Sequence, residues 1–243
     1  ILGKKVLDCA CLIHGDYYKF EYVEILERSL RRNFDTPINF HVWTEADRNV
    51  PGHMIKHDLS DLGVSGPKQS WWYKTQLFDS SKFAGKLYYF DLDVIITGSL
   101  DWMRKLSIEK QFWAVRDFRY LWRPNKYVIN SSVMVFDATQ HIDLWKNFAY
   151  NKTHMMKKYH GDQDYVYEYL KTTSPKMIRY FDVNKVRSFR WQVLHGGMEF
   201  LTRQYPKKQQ IDVEIGPDTS IVVFHGDPKP HQIEKSILKD HWY

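Results

Sequence analysis

The sequence predicts an α/β fold with a mostly parallel central sheet flanked by helices. Short apolar stretches that read as strands alternate with segments whose apolar residues recur at helical spacing, the pattern of a parallel sheet. Polar, reactive side chains follow directly on several of the apolar stretches, which is where open α/β sheets bind their ligands. A chain of 243 residues with 43% hydrophobic and 16% aromatic content can build one large core, so residues 1–243 are expected to form a single domain.

Residues 6–13 read as a buried strand. Residues 19–32 follow as a helix with Phe20, Val23, Leu26 and Leu30 on one face. Residues 38–43 give a second strand, 69–81 a helix and 86–90 a third strand that ends at Asp91 and Asp93. The second half is less regular: a strand over 127–136, helices over 141–155 and 162–170, and a late strand over 221–224. Gly66-Pro67, Gly196-Gly197 and Gly216-Pro217 mark turns, and residues 181–217 are loop-rich. The sequence shows no linker, repeat or low-complexity segment.

The formal charge of +6 comes from pairs such as Arg31-Arg32, Lys157-Lys158 and Lys207-Lys208 rather than from a basic block, which fits a solvated surface. The surplus suits an anionic nucleotide or a negatively charged membrane surface. No nucleic-acid recognition motif accompanies it, so nucleic acid is not an expected partner. Cys9 and Cys11 fall on one face of a strand, too close in sequence to bridge, and no disulfide framework is expected. No stretch approaches the roughly 20 apolar residues of a membrane span, and Ile1-Leu2-Gly3-Lys4-Lys5 has no signal-peptide pattern. A cytoplasmic protein with at most peripheral membrane contact is the expectation. The sequons Asn130-Ser131-Ser132 and Asn151-Lys152-Thr153 are too common by chance to move it. Nine Trp and sixteen Tyr exceed what packing usually requires, and flat aromatic faces suit sugar rings or bases.

Two distant motifs carry the chemistry. Tyr88-Tyr89-Phe90-Asp91-Leu92-Asp93 sets two carboxylates one residue apart at the end of an apolar strand, where both can lean toward one divalent cation. Asp162-Gln163-Asp164 repeats the spacing, so the apolar run ahead of Asp91 is what gives the first pair its weight. Val222-Val223-Phe224-His225-Gly226-Asp227-Pro228-Lys229-Pro230 ends another strand with an imidazole, a turn and an ammonium. That set can bring His225 to a metal and Lys229 to a phosphate, and an imidazole beside two carboxylates tilts the metal from Mg²⁺ toward Mn²⁺. Together the motifs point to an enzyme acting on a nucleotide diphosphate.

In the order of these motifs the chain resembles the retaining glycosyltransferases of family 8, the group of glycogenin and the bacterial lipopolysaccharide galactosyltransferases, which have a GT-A fold. The resemblance covers most of the chain. It rests on the polar loop over residues 11–18, Trp71-Trp72-Tyr73-Lys74, Asp91 and Asp93, Asn130-Ser131-Ser132, Asp162-Gln163 and Gly226-Asp227-Pro228-Lys229-Pro230. It implies a UDP-sugar donor, with Asp91, Asp93 and His225 holding Mn²⁺ or Mg²⁺ against the diphosphate and Gly226 and Lys229 completing a phosphate cradle. It further implies that Tyr17 or Tyr18 stacks on uracil near Asp16, and that Lys74, Asp117, Asn130, Asp162 and Gln163 surround the donor sugar. Residues up to about 100 would form the nucleotide-sugar half and residues from about 101 the sugar and acceptor half. A saccharide or glycolipid acceptor is implied, with the loop-rich stretch as its binding surface or lid.

The chain departs from the family pattern in three places. His225 directly precedes Gly226 where the family has two more residues between them, Ser132 stands for a Gly, and His231 stands for a Trp. For a retaining transfer no residue is a clear nucleophile. Asp162 and Gln163 are nearest by resemblance, and the expected route is a front-face substitution in which a phosphate oxygen of UDP takes the acceptor proton. Two other readings compete. A haloacid dehalogenase-type phosphatase would attack phosphate with Asp91, but that family has a Thr two positions after its second Asp, where Ile95 stands. A catalytically decayed nucleotide-sugar-binding module is suggested by Ser132 and the shortened His225 spacing.

Overall fold

The computed structural model describes residues 6–194, 214–233 and 237–243; Gly196-Gly197 and much of the loop-rich stretch expected over 181–217 lie outside the described residues. The first half runs β1 (Leu7–Leu12), α1 (Glu21–Asn33), β2 (Ile38–Thr44), β3 (Ile55–Asp58), a helical segment at Ser70–Phe78, β4 (Lys86–Phe90) and β5 (Val94–Ile96). The second half runs α2 (Asp101–Arg104), β6 (Phe112–Arg116), β7 (Ile129–Asp137), α3 (Ile142–Lys158), α4 (Asp162–Thr173), β8 (Ile178–Tyr180), β9 (Val186–Ser188) and β10 (Ile221–Val223).

Seven strands make the main sheet in the order β3-β2-β1-β4-β7-β6-β8. β1 pairs in parallel with β2 and β4, β2 with β3, and β6 with β8; β7 alone reverses, antiparallel to β4 and β6. A small sheet, β5-β10-β9, packs beside it.

Side-chain alternation along the strands explains the layers. Cys9, Cys11, Tyr88 and Phe90 point to one face, where they meet Val23, Leu26 and Leu30 of α1. Ala10, Leu87 and Tyr89 point to the other, against Trp72, Leu77, Phe148 and Tyr165 from the Ser70–Phe78 segment, α3 and α4. Both faces of the central strands are covered, which is why these strands read as continuous apolar runs rather than alternating ones.

The helix expected over 69–81 is a run of 3₁₀ geometry over Ser70–Phe78. Its residues Trp72 to Phe78 are all buried, so no single apolar stripe directs its winding, and the Thr75 hydroxyl bonds back to the Trp72 carbonyl at 2.7 Å. β3 carries no apolar pattern because, as an edge strand, it buries little: Ile55 and Asp58 are exposed and only Lys56 and His57 are partly covered. Among the described residues no helix is long and apolar enough to cross a membrane.

Histidines kept neutral by burial give the fold a pH dependence, His141 and His57 among them. Burial holds the His141 imidazole down to about 4, and burial together with His41, 2.8 Å away, does the same for His57. Both are neutral when folded and regain an ordinary pKa near 6.5 when unfolded, so between about pH 4 and 6.5 the unfolded chain binds more protons and stability rises with pH. Urea unfolding is therefore expected to show a midpoint that falls steadily as the pH is lowered from 6.5 to 4. A flat profile across that window would contradict the assignment.

Candidate active site

A cavity of about 540 Å³ opens at the carboxyl ends of β1 and β4. The loop after β1 is held by an ion pair: Gly15 N donates to Glu45 Oε1 at 2.5 Å, and Arg48 bonds both the Glu45 carboxylate and the Gly15 carbonyl. Burial would raise the Glu45 carboxyl, but the Arg48 and Gly15 donors outweigh it and pull it down to about 2. With φ of +70° Gly15 makes the turn that a side chain would resist. The loop so fixed sends His14, Tyr17 and Tyr18 into the cavity. His14 stacks on Tyr73 with ring centroids 3.9 Å apart and is hydrogen-bonded to Ser70 Oγ at 3.0 Å.

Asp91 and Asp93 leave the end of β4 toward the same space, each clamped by one lysine. Lys74 Nζ lies 2.9 Å from Asp91 Oδ1 and 3.8 Å from Asp162 Oδ2, and donates to Ser131 Oγ at 3.1 Å. Lys229 Nζ lies 2.5 Å from Asp93 Oδ2 and also donates to the Phe224 carbonyl. Tyr89 and Tyr18 add hydroxyl donors to Asp91 and Asp93, at 2.7 and 2.9 Å. Burial lifts the Asp91 carboxyl above its ordinary range, with Lys74 opposing and Asp93 adding to the lift. Burial alone would depress the Lys74 ammonium, but Asp162 and Asp91 together raise it, so it stays charged.

Asp162 and Gln163 open α4 from the far wall of the cavity. Asp162 Oδ2 accepts from Ser131 Oγ at 2.8 Å; Gln163 accepts from Ser131 N and donates to Asp117 Oδ2 at 3.2 Å. A carboxylate in the first turn of a helix is favoured by the helix dipole.

Of the residues singled out in the sequence, the structure brings Tyr17, Lys74, Asp91, Asp93, Asp162, Gln163, Gly226 and Lys229 to one cavity. Asp16 is exposed, and Asn130 turns its oxygen to the Ser132 N–H at 3.0 Å; neither lines it. Asp117 stands behind Gln163, tied to Arg119 at 2.7 Å; burial would raise its carboxyl, but the Arg119 donors bring it below the usual range. Tyr18 is turned inward to Asp93, which leaves Tyr17, half-exposed at the mouth, as the free aromatic face.

His225 makes no hydrogen bond or ion pair to the carboxylate pair among the described residues. Its Nε2 is 2.6 Å from Ser188 Oγ, and its ring lies on Phe118 and Trp191. The imidazole does not line the cavity, and burial and then Arg190 hold it down to about 4 against the opposing pull of Asp93 and Asp117. Among the described residues no group of three His, Cys, Asp or Glu side chains is assembled for a metal. Of the acidic side chains that line the cavity, Asp91 and Asp93 stand together at the end of β4. Two hard oxygen donors suit Mg²⁺ or Mn²⁺ when phosphate oxygens and water fill the remaining positions, so the residues present fit a metal that arrives with a diphosphate. The sequence places His14 and Ser131 within motifs without giving either a role and does not single out Ser70; their contacts, His14 to Ser70 and Ser131 to Lys74 and Asp162, span long sequence separations.

No protein-family profile matches the chain, and no curated protein matches it in sequence. Solved structures do. An active-site mutant of LgtC superposes with a TM-score of 0.66 over 97% of this chain and 94% of its own, at 13% identity. The galactosyltransferase LgtC in complex with donor and acceptor sugar analogues gives 0.62 over 92% and 89%, at 15% identity. The glycosyltransferase GlyE of Streptococcus pneumoniae TIGR4 gives 0.65 over 98% of this chain and 59% of its own, at 13% identity in the apo form. At these identities the likeness is one of fold: the chain has the GT-A architecture of these glycosyltransferases, as its sequence predicts.

Proposed function

We propose that the chain is a glycosyltransferase that moves a hexose from a UDP-sugar to a saccharide or glycolipid acceptor with retention. The observation that carries this reading is the cavity itself, where Asp91, Asp93, Lys74, Lys229, Asp162 and Gln163 converge below the open aromatic face of Tyr17. The likeness of fold to glycosyltransferases supports it.

On this reading the nucleobase lies at the mouth against Tyr17 and the diphosphate runs down to Gly226 and Lys229. A divalent cation held by Asp91 and Asp93 would supply charge neutralisation to the departing UDP. Lys229 stands ready to exchange Asp93 for a phosphate oxygen, a charge-assisted bond of the same type. Lys74 joins the diphosphate end to the sugar end, since it touches Asp91, Ser131 and Asp162 together. Asp162 is pinned by Ser131 and Lys74 and so serves as a fixed anion beside the charge developing on the sugar rather than as an attacking group. Gln163, steered by Ser131 and Asp117, presents its amide to the same region. This arrangement favours front-face transfer.

The position of His225 favours a second reading, a nucleotide-sugar-binding module without turnover. Calorimetric titration with UDP in Mn²⁺ and in EDTA tests the site in both cases. Saturable binding that weakens at least about tenfold in EDTA is expected if a cation bridges the Asp pair to phosphate. An absence of UDP binding under both conditions would contradict both readings.

A further inference from the structure

We propose that Arg190 is an additional cation for the diphosphate, a role that rests on the reading of the cavity as a UDP site and that no motif in the sequence suggests. The lysines flanking the carboxylate pair are already neutralised, Lys74 by Asp91 and Asp162 and Lys229 by Asp93. A diphosphate entering the cavity engages them only by competing with those carboxylates. Arg190 stands differently: among the described residues no carboxylate pairs with its guanidinium and no hydrogen bond engages it.

Its position is fixed by its neighbours in the chain. Phe189 is fully buried and stacks on Phe224 with ring centroids 4.3 Å apart, while the Trp191 ring lies 4.3 Å from that of His225. The helical turn Phe189–Val193 thus runs along the strand end that carries Gly226, with Arg190 emerging over it. Gly226 has φ of +75°, and a Cβ placed on it would lie 3.0 Å from Arg190 Nη1. The guanidinium therefore occupies the space that a side chain at this cavity-lining glycine would need. A half-buried, unpaired fork of N–H donors against the glycine of a phosphate turn has the geometry for paired bonds to phosphate oxygens, which a point-charge ammonium matches only in part.

The test is calorimetric titration of UDP and of uridine, in Mn²⁺, into wild type, Arg190→Gln and Arg190→Lys. Arg190→Gln is expected to weaken UDP about 10- to 100-fold, to leave uridine affinity and thermal unfolding unchanged, and to be partly rescued by Arg190→Lys. UDP binding equally tight in Arg190→Gln and wild type would overturn the role of Arg190 while leaving the nucleotide reading intact. An equal loss for UDP and uridine would overturn it as well, because the residue would then be shaping the pocket rather than meeting phosphate. A wild type that binds no UDP would overturn both.

Discussion

Lys74→Met is expected to destabilise the fold by about 3–5 kcal/mol, the cost of leaving a buried charge without its partner. Lys74 is 9% exposed and is the common neighbour of Asp91 and Asp162, so its removal strands two carboxylates at once. The penalty has a definite pH dependence. Burial already lifts the Asp91 carboxyl, and without Lys74 its folded pKa rises further, so the variant's folded state takes up a proton that the unfolded chain releases. The difference from wild type is then largest near neutral pH and shrinks toward acid. Urea unfolding of both proteins at pH 7 and pH 5 measures it; a difference that grows in acid would show that the lysine does not hold the carboxylates as ions.

Lys229→Met separates two properties that a merely damaged site would lose together. The ammonium that competes for Asp93 is removed, so Mn²⁺ is expected to bind the nucleotide-free variant more tightly than wild type. The cation that meets the leaving group is removed as well, so kcat for the donor is expected to fall by about 10²–10³, the range seen when one donor to a developing anion is deleted. Manganese titration followed by paramagnetic resonance and donor turnover read the two effects separately. Loss of both metal affinity and turnover would argue that Lys229 supports the fold of the turn and not the charge of the site.

Much of the site is legible in the sequence because it is built from strand ends. The run Lys86–Phe90 has the length and continuous apolarity of a strand buried on both faces, and the structure gives it those bounds, with Asp91 and Asp93 beyond. Asp162 and Gln163 are legible only through the family resemblance; their place at the opening of α4, where acidic residues are favoured, is what the structure adds. The direction in which His225 faces is a different matter. The sequence shows an imidazole after a strand, whereas its choice of Ser188 over Asp93 depends on Phe118 and Trp191, which reach it from elsewhere in the chain. Arg190 lies in no motif, and only the stacking of Phe189 on Phe224 brings it over Gly226. The reversal of β7 escapes the reading as well, because a strand buried on both faces has the same composition in either direction.

The most direct test is release of UDP from a panel of UDP-sugars in Mn²⁺, Mg²⁺ or EDTA, comparing wild type with Asp93→Asn. The expected result is slow, metal-dependent release from one donor, abolished in EDTA and in Asp93→Asn, a variant that keeps the shape of the side chain and loses its charge. Release that is indifferent to both EDTA and Asp93→Asn, or a wild type that turns over no donor and binds no UDP, would contradict the reading of the cavity as a metal-assisted UDP-sugar site.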